Sequence, residues 1–188
     1  RQQNLSFLPL SSNRVELTIT GEQIKKLIGS LVNNYDYILI DSPAGIDSGF
    51  LIAIECANEA IVVVTPEVPS IRDADRVIGI LMSKNITKIN LIINRIRPNM
   101  VKNEDMMSIN DVTSILGVNL IGVIPDSEKI IMSSNRGEPI VLSEKACLAG
   151  TSFEHTSQRL TGEDIKFIDL TIQNSRNPIK KFIKNFIN

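Results

Sequence analysis

Four short runs of apolar, mostly β-branched residues alternate with stretches of helical periodicity, and this alternation restricts the fold more than any other feature. The runs are YILI at 37–40, IVVV at 61–64, INLIIN at 89–94 and LIGVI at 120–124. Strands that alternate with helices predict β-α-β units with right-handed crossovers. The sequence therefore predicts an α/β fold, a parallel sheet flanked by helices on both faces.

Local signals set the expected limits of the other elements. The pattern T-x-x-Q at Thr20–Gln23 is a capping box that opens a helix. Ser70 and Asp126 are predicted to cap two later helices. A short strand is expected at Leu5–Leu10 and a long helix over much of 144–160. Strand 61–64 is expected to be buried on both faces, as parallel strands usually are.

Length and composition favour one globular domain and argue against a nucleic-acid-binding face and a paired-cysteine site. The chain has 188 residues, 43% of them hydrophobic, and a net charge of −1, which argues against a broad nucleic-acid-binding face. Cys56 and Cys147 form no C-x-x-C pattern and fit a reducing compartment. We assign no role to the lone His155.

The polar stretch QNSRNP is predicted to separate a nucleotide-binding domain over 1–172 from a C-terminal tail over 173–188.

Polar residues follow each apolar run. Asp41, Glu67, Asn94 and Asp126 stand at or just after the four predicted strand ends. The carboxyl ends of parallel strands share one edge of a sheet, and open α/β sheets bind ligands at that edge. We favour a functional role for Asp41, Asn94 and Asp126. For Glu67 an ordinary polar strand end is equally consistent.

Three longer segments resemble one family. They are DSPAGI at 41–46, PEVPSIRDAD at 66–75 and VIPDSEKIIMSSNRGEPIVL at 123–142, followed by a basic amphipathic tail. Together they resemble the ParA/MinD family of deviant P-loop ATPases, in particular its septum-site-determining branch, over nearly the whole chain. The sequence has no G-x-x-x-x-G-K-[ST] motif. The resemblance therefore implies a P-loop NTPase-like fold whose first strand and phosphate-binding loop precede Arg1.

The resemblance also implies roles for residues at the predicted sheet edge. Asp41 would be the Walker B carboxylate that holds Mg²⁺ through water. Gly45 would belong to the switch II loop that senses the γ-phosphate, since its backbone N–H can approach closely without a Cβ. Asn94, Pro125 and Asp126 would surround the adenine. The implied cofactors are ATP and Mg²⁺.

A charged helix face is expected to contribute to assembly. By resemblance it lies near the interface of an ATP-dependent homodimer, where MinC- and MinE-like division regulators dock. A solvated face with i,i+3 or i,i+4 ion pairs explains the same charges equally well. The residues concerned are Glu67, Arg72, Asp73, Asp75 and Arg76.

The last eleven residues, PIKKFIKNFIN, predict a short amphipathic helix. Pro178 suits a helix start, and so short a helix needs a surface to bury its apolar side. Lysines beside an apolar stripe favour an anionic membrane. Packing of this helix on its own domain is the alternative. The tail residues are Ile179, Lys180, Lys181, Phe182, Ile183, Lys184, Phe186 and Ile187.

Together these features predict a membrane-cycling ATPase that places the division site by recruiting a division inhibitor. The expected location is the plastid stroma, peripheral on the inner membrane, or else a bacterial cytoplasm and inner membrane. A ParA-like DNA-partition ATPase and a non-catalytic membrane scaffold are the alternatives. We expect residues 1–188 alone not to hydrolyse ATP, and to be poorly soluble or molten because strand edges would stay unpaired.

Overall fold

The computed structural model describes residues 4–9, 20–142 and 147–170. The chain divides into two compact units, one ending at Ala57 and the other beginning at Asn58. Within the described ranges, no helix combines the length and apolar character required to cross a bilayer.

The described residues of the first unit form the helices α1 (Gly21–Leu31) and α2 (Ser48–Glu55), which pack against each other. The predicted capping box is confirmed: the Thr20 side chain accepts from the backbone of Gln23, and the Gln23 side chain accepts from the backbone of Thr20. The single Asp47 carboxylate accepts from the first backbone N–H groups of α2. Both helices therefore begin where their sequences supply an oxygen for the unpaired N–H groups.

Two strand predictions for the first unit were wrong. Residues 37–41 form no helix or strand, and Leu39 is 79% exposed. Residues 5–9 also form no strand, and Phe7 is exposed; Leu10 lies outside the described residues. An apolar β-branched run becomes a strand only where a neighbour accepts its hydrogen bonds. The described part of this unit provides no such neighbour.

The second unit is built on a parallel sheet of β1 (Ala60–Val64), β2 (Ile89–Ile96) and β3 (Asn119–Pro125), in that order. The register pairs Val64 with Ile93 and Ile93 with Val123, so the carboxyl ends share one edge. Its helices are α3 (Val68–Ser83), α4 (Pro98–Lys102), α5 (Ile109–Leu116), α6 (Glu128–Arg136) and α7 (Leu148–Leu160), with a 3₁₀ turn at Ile140–Leu142.

The core of this unit lies around β2, where Leu91 and Ile93 are fully buried. Helix α3 packs against β1, and α7 packs against β3. β1 departs from the prediction that it is buried on both faces: Val62 and Val64 are buried, but Val63 is 57% exposed. Ile61 and Val63 alternate with Val62 and Val64 and so lie on the other face of β1, which is exposed in the part of the chain that the structure describes.

Two predicted helix caps were also wrong. Helix α3 begins at Val68 because Pro69 sits in its first turn, and the Ser70 hydroxyl instead accepts from the Thr65 backbone N–H at 3.1 Å. The cap of α6 is Ser127, not Asp126. The Asp126 carboxylate is engaged elsewhere, as described below.

Candidate functional site

A cleft of about 820 Å³ opens at the carboxyl edge of the sheet in the second unit. One wall is the segment Pro66–Pro69 that leads from β1 into α3. The other wall is formed by Arg95 and Arg97 and by the residues that follow β2, among them Met100 and Met106. The parallel register creates this cleft, because it brings chain segments from separate crossovers to one edge.

Asp126 lies at the rim of this edge and is held by two arginines of β2 and the loop after it. Arg97 Nε donates to Asp126 Oδ2 at 2.6 Å, and Arg95 Nε lies 3.7 Å from Oδ1. The Asp126 backbone N–H donates to the Ile96 carbonyl. Asp126 thus joins the ends of β2 and β3 and balances one of two positive charges. Pro125 pairs with Ile96 at these strand ends, and Asn94 lies two residues earlier in β2. The role of Asn94, Pro125 and Asp126 around the adenine stays a prediction.

Asn94 was expected at the end of its strand, but it lies inside β2, which continues to Ile96. The register between β2 and β3 shifts between Ile93 and Ile96. Within this bulge Asn94 Oδ1 accepts from the Arg95 backbone N–H at 2.9 Å, and Arg95 has a φ of 58°. Bulges and strained residues re-aim side chains and concentrate at functional sites. One of the two lone pairs of Asn94 Oδ1 is used in this local hydrogen bond, so the amide N–H₂ and the second lone pair are the groups it could offer a ligand.

Arg97 was missed by sequence reasoning, although it is the better-placed of the two arginines. Its backbone N–H donates to Met106 Sδ at 3.4 Å, and its guanidinium lies near Met100 Sδ. The available signal was the alternation R-I-R, which places Arg95 and Arg97 on the same side of an extended chain.

A capping box fixes the far wall of the cleft. Ser108 caps α5: its hydroxyl and its backbone N–H both donate to Asp111 Oδ2, at 2.7 and 3.0 Å. These hydrogen bonds hold the pKa of the Asp111 carboxyl below its ordinary value, because they favour the ionised form. Asp111 is thus a fixed negative charge facing the same cleft as the arginines.

The predicted switch loop belongs to the first unit. Asp41 is exposed, and Gly45 adopts a φ of +98°, a conformation that side-chain-bearing residues rarely adopt. The loop ends where Asp47 caps α2. A Cβ on Gly49 would lie 2.7 Å from Pro43 Cγ, so the loop and the first turn of α2 are in close contact.

The donor set near Asp41 suits a hydrated ion better than a protein cage. Among the described residues, no group of three or more His, Cys, Asp or Glu side chains could hold a metal. A single exposed carboxylate fits Mg²⁺, which keeps most of its water ligands.

The charged face of α3 points to solvent. Arg72, Asp73, Asp75 and Arg76 are all exposed, and Arg76 lies 3.6 Å from Asp73 in an i,i+3 pair. Such an exposed pair contributes little stability. Because all four side chains are exposed, a partner could contact this face. Glu67 is exposed and lines the cleft. The predicted tail helix, residues 178–188, lies outside the described residues.

Comparison with known proteins gives the family. The family model ParA, described as an NUBPL iron-transfer P-loop NTPase, matches residues 16–161. A MinD relative from Emiliania huxleyi is 60% identical over 187 residues, covering 100% of this chain and 69% of its own length. The chain belongs to the MinD family. The septum site-determining protein MinD of Synechocystis is 48% identical over 90% of the chain and 64% of its own length.

Solved structures confirm the fold. The MinC:MinD complex of Aquifex aeolicus matches with a TM-score of 0.77 at 48% identity, covering 80% of this chain and 62% of that one. MinD of Pyrococcus horikoshii, complexed with Mg-ADP, matches with a TM-score of 0.66 at 27% identity, covering 78% and 60%. The P-loop NTPase-like α/β fold predicted from the sequence is therefore correct. The chain spans about two thirds of the length of these relatives.

Proposed function

We propose that the intact protein is a Mg²⁺-dependent ATPase that cycles on and off a membrane and places the division site. The observation that carries this proposal is the 60% identity with a MinD relative across essentially the entire chain. The Mg-ADP complex of the Pyrococcus horikoshii relative supports ATP and Mg²⁺ as cofactors.

The second unit would bind the base of the nucleotide. Asn94 lies in β2 two residues before Ile96, which pairs with Pro125 of β3, and Asp126 is fixed by Arg95 and Arg97. An amide donor next to backbone groups can pair with the edge of an adenine. The hydrogen bond from the Arg95 N–H to Asn94 Oδ1 would hold the amide in one orientation.

The first unit would bind Mg²⁺ and respond to the γ-phosphate. Asp41 would hold hydrated Mg²⁺, which neutralises the charge that develops during phosphoryl transfer. The Gly45 N–H would approach the γ-phosphate. Pro43 packs on Gly49 and Asp47 caps α2, so ordering of this loop would shift the start of α2, an order-by-phosphate switch.

The exposed face of α3 would contact the second protomer and the division regulators. The Aquifex aeolicus complex with MinC supports a MinC-like partner. A MinE-like partner is proposed on family grounds alone. The exposure of Arg72, Asp73, Asp75 and Arg76 leaves them available to such partners.

The tail would attach the dimer to anionic lipid. One short basic amphipathic helix binds weakly and reversibly, whereas two helices on one dimer bind more tightly through effective concentration. ATP would favour the dimer, and hydrolysis would release it. MinD relatives from algae such as Emiliania huxleyi and Guillardia theta support a plastid location, peripheral on the inner membrane.

Flotation of the intact protein with anionic vesicles tests this function. Wild type with ATP should float with the vesicles, whereas a variant that lacks 178–188 and wild type with ADP should not. Asp41→Asn should lose ATP turnover, and Asp36→Asn, an exposed aspartate in the same unit, is the matched control. Binding to duplex DNA instead of vesicles would favour a DNA-partition ATPase, and vesicle binding without turnover by wild type would favour a scaffold.

A further inference from the structure

Arg159, in the last turn of α7, joins three separate parts of the second unit through one guanidinium. Nη1 donates to the Ile121 carbonyl of β3 at 3.0 Å. Nε donates to the Ile165 carbonyl at 2.7 Å, and Nη2 donates to the Lys166 carbonyl at 2.9 Å. The guanidinium carbon also lies 3.9 Å from the centre of the Phe167 ring.

These contacts use the geometry that distinguishes arginine from lysine. A planar guanidinium directs several N–H groups at once and stacks on an aromatic ring, which an ammonium group cannot do. Burial lowers the pKa of Arg159, and the negative charge of Asp164 opposes this shift. The side chain stays charged at neutral pH, because arginine is not deprotonated in proteins.

The segment held by Arg159 is the last part of the chain that the structure describes. Residues 163–170, which we name the strap, follow α7 and form no helix or strand. Arg159 ties the strap to β3, an edge strand of the described sheet. From Phe167, the last residue in contact with Arg159, to Pro178 a fully extended chain reaches at most roughly 38 Å. A strap fixed on β3 would therefore limit where the predicted terminal helix can meet a surface.

We propose that Arg159 is a latch that holds the strap on β3 and so fixes the point from which the tail leaves the domain. This positioning role rests on the proposed membrane attachment. With the latch broken, the free linker begins near Leu160 instead of Phe167. Effective concentration falls with about the −3/2 power of linker length. The effective concentration of each tail at the membrane should therefore fall roughly twofold.

A lysine-specific endoproteinase tests the latch in the intact protein. The scissile carbonyl after Lys166 is the one to which Arg159 Nη2 donates, so cleavage requires release of the strap. Arg159→Gln should be cut after Lys166 at least roughly tenfold faster than wild type, while cleavage after Lys129 of α6 stays unchanged. Phe167→Ala, which removes the stacking and keeps the hydrogen bonds, should give an intermediate rate. Arg136→Gln removes an arginine from the last turn of α6 and should behave as wild type.

Flotation with anionic vesicles and ATP supplies the functional measurement. Arg159→Gln should need roughly two- to fourfold more lipid for half-maximal binding. Unchanged cleavage after Lys166, equally accelerated cleavage after Lys129, or unchanged lipid binding would each overturn the latch. Removal of 178–188 separates the two hypotheses. If that deletion abolishes vesicle binding and Arg159→Gln has no effect, the latch is wrong and membrane attachment stands; if the deletion has no effect, membrane attachment itself is wrong.

Discussion

Arg97 and Asp126 are joined across the carboxyl ends of β2 and β3, with Arg97 Nε donating to Asp126 Oδ2 at 2.6 Å. The same strand ends are linked through the backbone, because the Asp126 N–H donates to the Ile96 carbonyl. A side-chain ion pair and a main-chain hydrogen bond thus reinforce one register at the edge where a nucleotide base is expected. The predictions below begin with this pair.

Asp126→Asn should destabilise the intact protein by about 1 kcal/mol, because Arg95 and Arg97 lose their shared counter-charge and both are partly exposed to solvent. It should also weaken nucleotide binding, since the carboxylate no longer holds the ends of β2 and β3 together at the edge where the base is expected. Urea denaturation and nucleotide titration measure the two effects. Asp73→Asn removes the carboxylate of an exposed pair on α3 and should change stability by less than about 0.5 kcal/mol. Equal effects from the two variants would contradict a special role for Asp126.

Gly122→Ala should destabilise the protein by about 1–3 kcal/mol through overpacking between β3 and α7. An added Cβ would lie 2.5 Å from Thr156 Oγ1 and 2.7 Å from its Cγ2, and Thr156 is buried. Thermal or urea unfolding measures the loss. Gly79→Ala is the matched control: at this exposed position of α3 no atom lies within 4 Å of the new Cβ. It should stabilise by roughly 0.5–1 kcal/mol, because alanine loses less backbone entropy in a helix.

Gly45→Ala should destabilise the first unit by about 1–2 kcal/mol although space is available for the methyl group. The cost arises from a φ of +98°, which an L-residue adopts only with strain. Gly29→Ala in α1 also meets no atom within 4 Å, and it should be neutral or stabilising. Unfolding curves of both variants measure the two changes in the free energy of unfolding. A Gly45→Ala protein as stable as wild type would show that the loop is not confined to this conformation.

Ser108→Ala should raise the pKa of Asp111 toward that of a free aspartate, because both the hydroxyl donor and the cap geometry are lost. In wild type the lowered pKa means that Asp111 stabilises the fold above the ordinary aspartate pKa. This stabilisation is lost as the pH falls through the lowered value. Carboxyl-detected NMR titration measures the shift. Ser114→Ala on the exposed side of α5 should leave the Asp111 titration unchanged.

The helix starts show which N-terminal caps can be predicted from local sequence. The capping box at Thr20–Gln23 formed as predicted, because its hydrogen bonds connect residues three positions apart and need no distant partner. Ser70 failed as a cap because Pro69, in the first turn, sets the start of α3 at Val68. Asp126 failed because Arg95 of β2 and Arg97, just after β2, compete for its carboxylate.

The α/β class and the three strands of the second unit followed from the sequence by itself, since periodicity and turn chemistry are local. Tertiary structure alone decided which of those residues meet. The bulge at Asn94-Arg95, the placement of Arg97 beside Asp126 and the fixing of the strap by Arg159 depend on which strands pair and in what register. The run at 37–40 gives the physical reason: its composition suits a strand, but a strand exists only where a second chain segment accepts its hydrogen bonds.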